Sequence, residues 1–207
     1  MTPRISKGLP DHLRHQATQL YWQVFCSKLG RLLGPKAKAL KFLSQDLNGD
    51  YCLIAQDAAG QLIGIVGFQT YAGSYTQGQA PALRQVYGFL GAFWRRGVFH
   101  LLRNRHPAAA SFIVDTIAVI PEVRGRGVGG ALLEKLCILA RAKGHYQIAL
   151  DVAINNHAAQ RLYLRHGFER VAEQSLGLLG WLLGVQNSVV MRRDLSSQTS
   201  QEPDRSE

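Results

Sequence analysis

Cysteine is sparse in these 207 residues: Cys26, Cys52 and Cys137 stand far apart and none forms a CxxC pair. An odd, scattered set excludes a disulfide framework and a structural zinc site, and predicts small buried apolar residues in a reducing compartment. Long apolar runs are missing too. The longest, 86–99 and 176–185, fall short of the ~20 residues that a membrane span requires, and Arg95-Arg96 interrupts the first. The first twenty residues contain no apolar stretch, so no signal peptide is read there and a soluble cytoplasmic protein is expected. Acidic residues are scarcest of all. None occurs between Asp11 and Asp46, or between Asp57 and Asp115, whereas the second interval holds Arg84, Arg95, Arg96, Arg103 and Arg105.

Lys and Arg together number 24 against 14 acids, a net charge of +10, and the polar tail 196–207 is itself acidic. Such a surface favours anionic partners: a phosphorylated cofactor, an acidic acceptor, nucleic acid or a lipid head group. At 46% hydrophobic and 18% charged the composition is that of an ordinary globular protein. The length suits a single domain, expected over 1–195 and followed by a flexible tail.

Along the chain, 1–10 reads as a loose start between Pro3 and Pro10. Asp11 is placed to cap a helix that Gly34-Pro35 ends, and a basic helical piece follows to about Leu43. Two β-rich runs, 51–56 and 62–69, flank the turn at 57–60. Residues 71–110 form a long insertion with an apolar, aromatic and basic helical centre, read either as a lid over the acceptor side, with Arg95 and Arg96 where it would overhang the cleft, or as a packed insertion that thickens the sheet edge. A strand at 111–120, a glycine-rich turn at 121–127, a helix at 129–143, a strand at 146–152 and a short helix at 158–165 follow. Two last strands are placed at 171–173 and 188–193. This order predicts a mixed α/β sheet with its chemistry where strand 111–120 feeds the turn.

That turn reads Arg124-Gly125-Arg126-Gly127-Val128-Gly129-Gly130. Between a strand and a helix it makes an anion cradle, because glycines let the backbone approach a ligand and the free N–H groups of the helix start point at negative oxygens. A tight turn without a ligand is the plainer reading. No Gly-Lys-Ser/Thr follows, which excludes a Walker loop, and the spacing departs from the dinucleotide GxGxxG register.

A second stretch resolves the choice. The turn with its flanks, IAVIPEVRGRGVGGALL, and the segment LDVAINNHAAQRLYLRHGFERV some thirty residues on resemble the two signatures of the general N-acetyltransferase (GNAT) superfamily. The match is good over 111–171. The first helix and hairpin agree in pattern only, and 71–110 does not match. The resemblance implies a mostly antiparallel central sheet flanked by helices, here with a helical insertion, and acetyl-CoA as co-substrate. It places the pantetheine arm along Ile117, Ala118 and Val119 and the pyrophosphate on the amides of Arg124, Gly125, Arg126, Gly127, Val128, Gly129 and Gly130. Asn156 matches a cofactor-contacting asparagine, and Tyr163 matches the tyrosine that protonates the departing thiolate. The N–H of Val119 would hold the oxyanion, and direct attack by the amine needs no covalent intermediate, which leaves Cys137 no nucleophilic part.

The base stays open among Asp151, Asp115 and a water chain. In the ribosomal-protein alanine acetyltransferase branch a Leu-Glu-Val-Arg segment occupies the place of Leu150-Asp151-Val152-Ala153. Asp151 is thus one methylene shorter, and an arginine is replaced by Ala153. His157 and His166 read as helix-surface or capping residues, and no cluster asks for a metal. The expected acceptor is a primary amine of a protein N-terminus, a lysine or a small molecule, and a monomer or homodimer is expected. Two other classes compete: a non-catalytic acyl-CoA-binding regulator, which the presence of Asn156 and Tyr163 disfavours, and a nucleic-acid module using 84–105. Against the latter, Tyr87, Phe89, Phe93, Trp94 and Phe99 sit among aliphatics at helical spacing.

Overall fold

The alternating runs around the 57–60 turn become the centre of one sheet in the computed structural model, which describes residues 2–103, 112–175 and 187–196. In chain order the elements are β1 (Arg4–Lys7), α1 (Asp11–Leu33), α2 (Lys36–Asp46), β2 (Cys52–Gln56), β3 (Leu62–Thr70), β4 (Gly73–Ser74), α3 (Ala80–Arg103), β5 (Phe112–Val119), α4 (Val128–Ala142), β6 (Gln147–Ala153), α5 (His157–Arg165), β7 (Glu169–Gln174) and β8 (Ser188–Asp194). The strand order is β1-β2-β3-β5-β6-β8-β7, with β4 beside β3. Every pairing is antiparallel except β5 with β6. The mixed, mostly antiparallel sheet expected from the sequence is what forms.

Each face of the sheet buries its own apolar set. Leu132, Leu133, Leu136 and Cys137 of α4 pack on Phe68, Phe112, Leu150 and Met191. On the other face Leu13, Tyr21, Phe42 and Leu83 of α1, α2 and α3 pack on Ile54 and Ile65. These contacts place the α4 N-terminus at the end of β5, which sets up the site.

Several local expectations need correction. Residues 4–7 are a strand paired with 53–56, not a loose start. Pro10, rather than Asp11, occupies the α1 N-cap position, and Asp11 instead pairs with Arg14 one turn on. Cys52 and Cys137 are buried as expected, whereas Cys26 is exposed. Within the insertion, 80–103 is helical with a kink at Gly88, and 104–110 lies outside the described residues, as do 176–186 and the tail from 197.

The helix of the insertion is a packed element. Leu83 and Ala92 are buried, and the Tyr87 hydroxyl donates to the Leu33 carbonyl at 2.6 Å. Arg95 is not the overhanging cation of the lid reading. Its Nε donates to the Leu32 carbonyl at 2.7 Å and its guanidinium lies over the Tyr87 and Trp94 rings, so it fastens α3 to the end of α1.

The start of α3 is held by a residue from elsewhere. Asp46, fully buried, accepts hydrogen bonds from the backbone N–H groups of Gln77, Gly78 and Gln79 at 2.8–3.0 Å. Burial nonetheless raises its pKa, outweighing those three donors. Asp46→Ala leaves the donors without a partner in the interior, and its urea unfolding is expected to show a loss of about 2–3 kcal/mol. Asp46→Asn, which keeps an acceptor, should lose less.

Candidate active site

The site begins with an interruption of the sheet. Strands β5 and β6 pair through Phe112–Ile148, Ile113–Ala149 and Val114–Leu150 and no further. At that point β5 carries an extra residue: Gly67 and Phe68 of β3 oppose Thr116 and Val114, so Asp115 is bulged out. A bulge bends its strand and ends pairing, and beyond it β5 and β6 diverge. Asp115 and Asp151 are the first residues after the last pair on the two strands, so they flank the apex of the fork.

Past the apex the peptide groups of β5 on the fork side meet no described strand. Ile120 N donates back to Ile63 O of β3 at 3.1 Å. Alternation along a strand then turns the N–H and C=O of Ala118 toward β3 and those of Ile117 and Val119 toward the open side. The Val119 carbonyl is taken there by Arg124 Nε at 3.0 Å, which leaves its N–H directed into the fork.

The turn that follows closes one wall. Gly127 is the N-cap of α4 at φ 82°, the left-handed conformation that favours glycine, and a Cβ added there would meet nothing within 4 Å. Among the described residues no side chain caps the α4 N-terminus, whose first residues line the cleft. Gly130 serves close approach: a Cβ there would come within 2.7 Å of His166 Nε2. His166 terminates α5, as the capping reading has it, but its ring also crosses to α4, with Nδ1 2.8 Å from Glu134 Oε1. Arg193 Nη1 donates to that same oxygen at 2.8 Å. Burial pushes the Glu134 pKa up, but His166 and Arg193 outweigh it and hold the carboxyl below its ordinary value.

The opposite wall is α5. Asn156 is its N-cap, with Oδ1 accepting from Ala159 N at 3.1 Å. Gln160, buried, secures the turn that carries Asn156: its Nε2 donates to the Ala153 and Ile154 carbonyls and its Oε1 accepts from Arg170. Tyr163 is buried against Phe168, their ring centroids 5.9 Å apart, and burial raises its phenol pKa. The hydroxyl therefore keeps its proton throughout the neutral range.

Together these elements enclose a cleft of about 940 Å³. Of the residues singled out from the sequence, Ile117, Ala118, Val119, Arg124, Gly125, Gly127, Val128, Gly129, Gly130, Asn156 and Tyr163 line it. Arg126, in the same turn, is not among the lining residues, nor are Asp115 and Asp151. Leu150 and Val152 belong to the α4-side core, so Asp151 between them faces the α1 side of the sheet. Asp115 also turns that way, accepting from Thr76 Oγ1 at 2.8 Å, and burial raises its pKa. Two cations missed in the sequence, Arg161 and Arg165, also line the cleft. Their i, i+4 spacing on α5 puts them on one face, and that spacing was the available signal. Gln23 and Val24 of α1 complete the lining; no sequence motif marks them. Among the described residues α3 contributes none of the lining, and no group of His, Cys, Asp and Glu could hold a metal ion.

A strand end, a helix start and three lining arginines make a site for an elongated anion, in a cleft that the buried Tyr163 also lines. Residues 15–168 match the model of the acetyltransferase (GNAT) family. Over 56 residues the chain is 34% identical to a putative ribosomal-protein bS18-alanine N-acetyltransferase of Bacillus subtilis, covering 27% of this chain and 37% of that one. Over 69 residues it is 38% identical to an uncharacterized N-acetyltransferase of Methanocaldococcus jannaschii, covering 33% of this chain and 29% of that one. The matches thus span well under half of these curated relatives. Among solved structures, an N-acetyltransferase from Staphylococcus aureus superposes with a TM-score of 0.63 at 16% identity, over 91% of this chain and 99% of that one. The Escherichia coli ribosomal-protein-S18-alanine N-acetyltransferase gives 0.56 at 16% identity over 97% and 98%, a likeness of fold. With the family model spanning the forked strands, the turn and the helix that carries Tyr163, the chain belongs to the GNAT acetyltransferase family.

Proposed function

We propose that the protein transfers the acetyl group of acetyl-CoA directly to a primary amine, using the cleft between α4 and α5. The observation that carries this reading is the continuity of the cleft from the glycine turn, past the open N–H of Val119, to Tyr163. Amides of 124–130, with Arg124, Arg161 and Arg165, hold the pyrophosphate, and Arg126 adds positive charge beside them. Ile117, Ala118 and Val119 hold the pantetheine arm along the open edge of β5, and the free amide of Asn156 contacts it from α5. The Val119 N–H supports the carbonyl oxygen as charge develops on it, and Tyr163 delivers a proton to the departing sulfur. Cys137 takes no part: it is buried in the core, and burial pushes its thiol up to about 11.

An amine must lose its proton before attack, since alkylamines are mostly protonated at neutral pH. We assign that proton to Asp151, which lies outside the cleft lining and would meet the amine from the α1 side of the fork, with Asp115 as the second candidate on the other arm. Asp151→Asn should lower kcat/KM about 10²-fold. Parental kcat/KM in this variant together with a loss of that size in Asp115→Asn would transfer the role to Asp115.

The reading is tested by thiol release from acetyl-CoA across a panel of amines: alanine-terminated peptides, lysine peptides, aminoglycosides and small metabolites. Amine-dependent release by at least one class, with the acetylated product found by mass spectrometry, is the expected result. Binding of acetyl-CoA without release for any amine would instead favour a non-catalytic acyl-CoA-binding protein.

A further inference from the structure

The helix α3 carries an apolar face that no described residue covers. Its inner side is used: Ala92 is buried and Arg95 is tied to α1. On the outer side Leu90 is 82% exposed, Phe93 78%, Phe89 69% and Trp94 42%. Their spacing, i, i+1, i+4, i+5, makes one stripe along the helix after the Gly88 kink. Soluble proteins rarely leave large apolar side chains together in water without a partner, and side chains this exposed stand proud of the surface rather than lining a groove.

The exposed charges on α3 and on the neighbouring helix are basic. Arg84 lies over the Phe89 ring, 5.4 Å from its centroid, and Arg84 and Arg96 are both exposed. On the neighbouring helix α2, Lys36, Lys38 and Lys41 are exposed, and its one acid, Asp46, is buried. No carboxylate occurs in the sequence from 58 to 114. A protruding stripe of Phe, Leu and Trp rimmed by cations is the chemistry of a helix that lies in a bilayer interface, its apolar side chains among the acyl chains and its cations at anionic head groups. Crossing the bilayer is a different matter, since no described helix is long and apolar enough. A second copy of the chain would face this stripe with its own cations, which repel, and it offers no acid from this segment to offset them.

We propose that α3 docks the protein on anionic lipid surfaces through Phe89, Leu90, Phe93 and Trp94, with Arg84 and Arg96 at the head groups. The same helix, α1, seats α3 at Leu32 and Leu33 and lines the cleft at Gln23 and Val24. Those positions are about nine residues apart, roughly 13 Å along the axis at 1.5 Å per residue. Docking thus holds the α1 wall of the cleft close to the lipid surface.

The test is co-sedimentation of the full chain with vesicles of equal parts phosphatidylcholine and phosphatidylglycerol, against phosphatidylcholine alone. Binding to the mixed vesicles at least tenfold tighter than to the neutral ones, weakened by salt, is expected. L90E/F93E should reduce it at least tenfold while thermal unfolding and CoA affinity stay at parental values. Both positions are exposed, which allows the charge without disturbing the fold. Should that variant misfold, R84E/R96E tests the head-group contacts in its place. The proposal is overturned by a folded protein that ignores anionic vesicles at low salt, or by binding that neither variant changes. It is equally overturned if the parent self-associates and L90E/F93E is monomeric, or if single-stranded DNA binds through the same arginines more tightly than the vesicles do.

Discussion

Replacing Tyr163 by phenylalanine is expected to lower kcat by about 10²-fold or more, the usual scale for one general acid, equivalent to about 2.7 kcal/mol of transition-state stabilisation. The substitution removes one oxygen and keeps the ring. The contact with Phe168 at 5.9 Å and the apolar packing of the α4-side core remain, so fold and acetyl-CoA affinity should hold. What is lost is the proposed proton source for the departing sulfur. Burial raises the pKa of the phenol, so no alkaline limb from Tyr163 is expected in the parent's profile. Steady-state kinetics with a responsive amine check this directly. A kcat equal to the parent's at every pH would leave Tyr163 a packing residue.

The second large effect is expected on binding. Gly127→Val puts a branched side chain at φ 82°, where an L-residue is strained by roughly 1–2 kcal/mol. Its Cβ meets no protein atom within 4 Å, so the added methyls project into open space at the start of α4, where the pyrophosphate is proposed to lie. Calorimetric titration should show acetyl-CoA affinity reduced about 10²-fold or more, while the melting temperature falls by only a few degrees, as a strain of that size implies. Gly127→Ala should fall between the two. Unchanged affinity in the valine variant would remove the turn from the binding site.

Much of this arrangement could be read from residue order. The switch from alternating runs to a glycine turn and an amphipathic helix located β5, α4 and the cradle between them, and the Asn156–Phe168 segment located the facing wall. What escaped depends on contacts between distant segments. Strand β1 has only four residues between prolines and acquires its identity from pairing with β2. The bulge at Asp115 exists only because β3 is one residue shorter across the pair, so no local pattern announces the fork. Arg95 reads as a free cation in an acid-free stretch, yet a carbonyl 63 positions away and two rings claim it. His166 and Glu134, 32 positions apart, meet because Gly130 lets the ring approach α4.

The central claim is that acetyl-CoA lies along β5 and the turn after it and faces α5. Hydrogen exchange of the full chain with and without acetyl-CoA, read by mass spectrometry on peptides spanning 117–130 and 156–165, tests it most directly. Slowed exchange in both segments, strongest in the amides of 124–130 and lost in Gly127→Val, is the expected result. Saturable binding that leaves both segments unprotected would contradict the account.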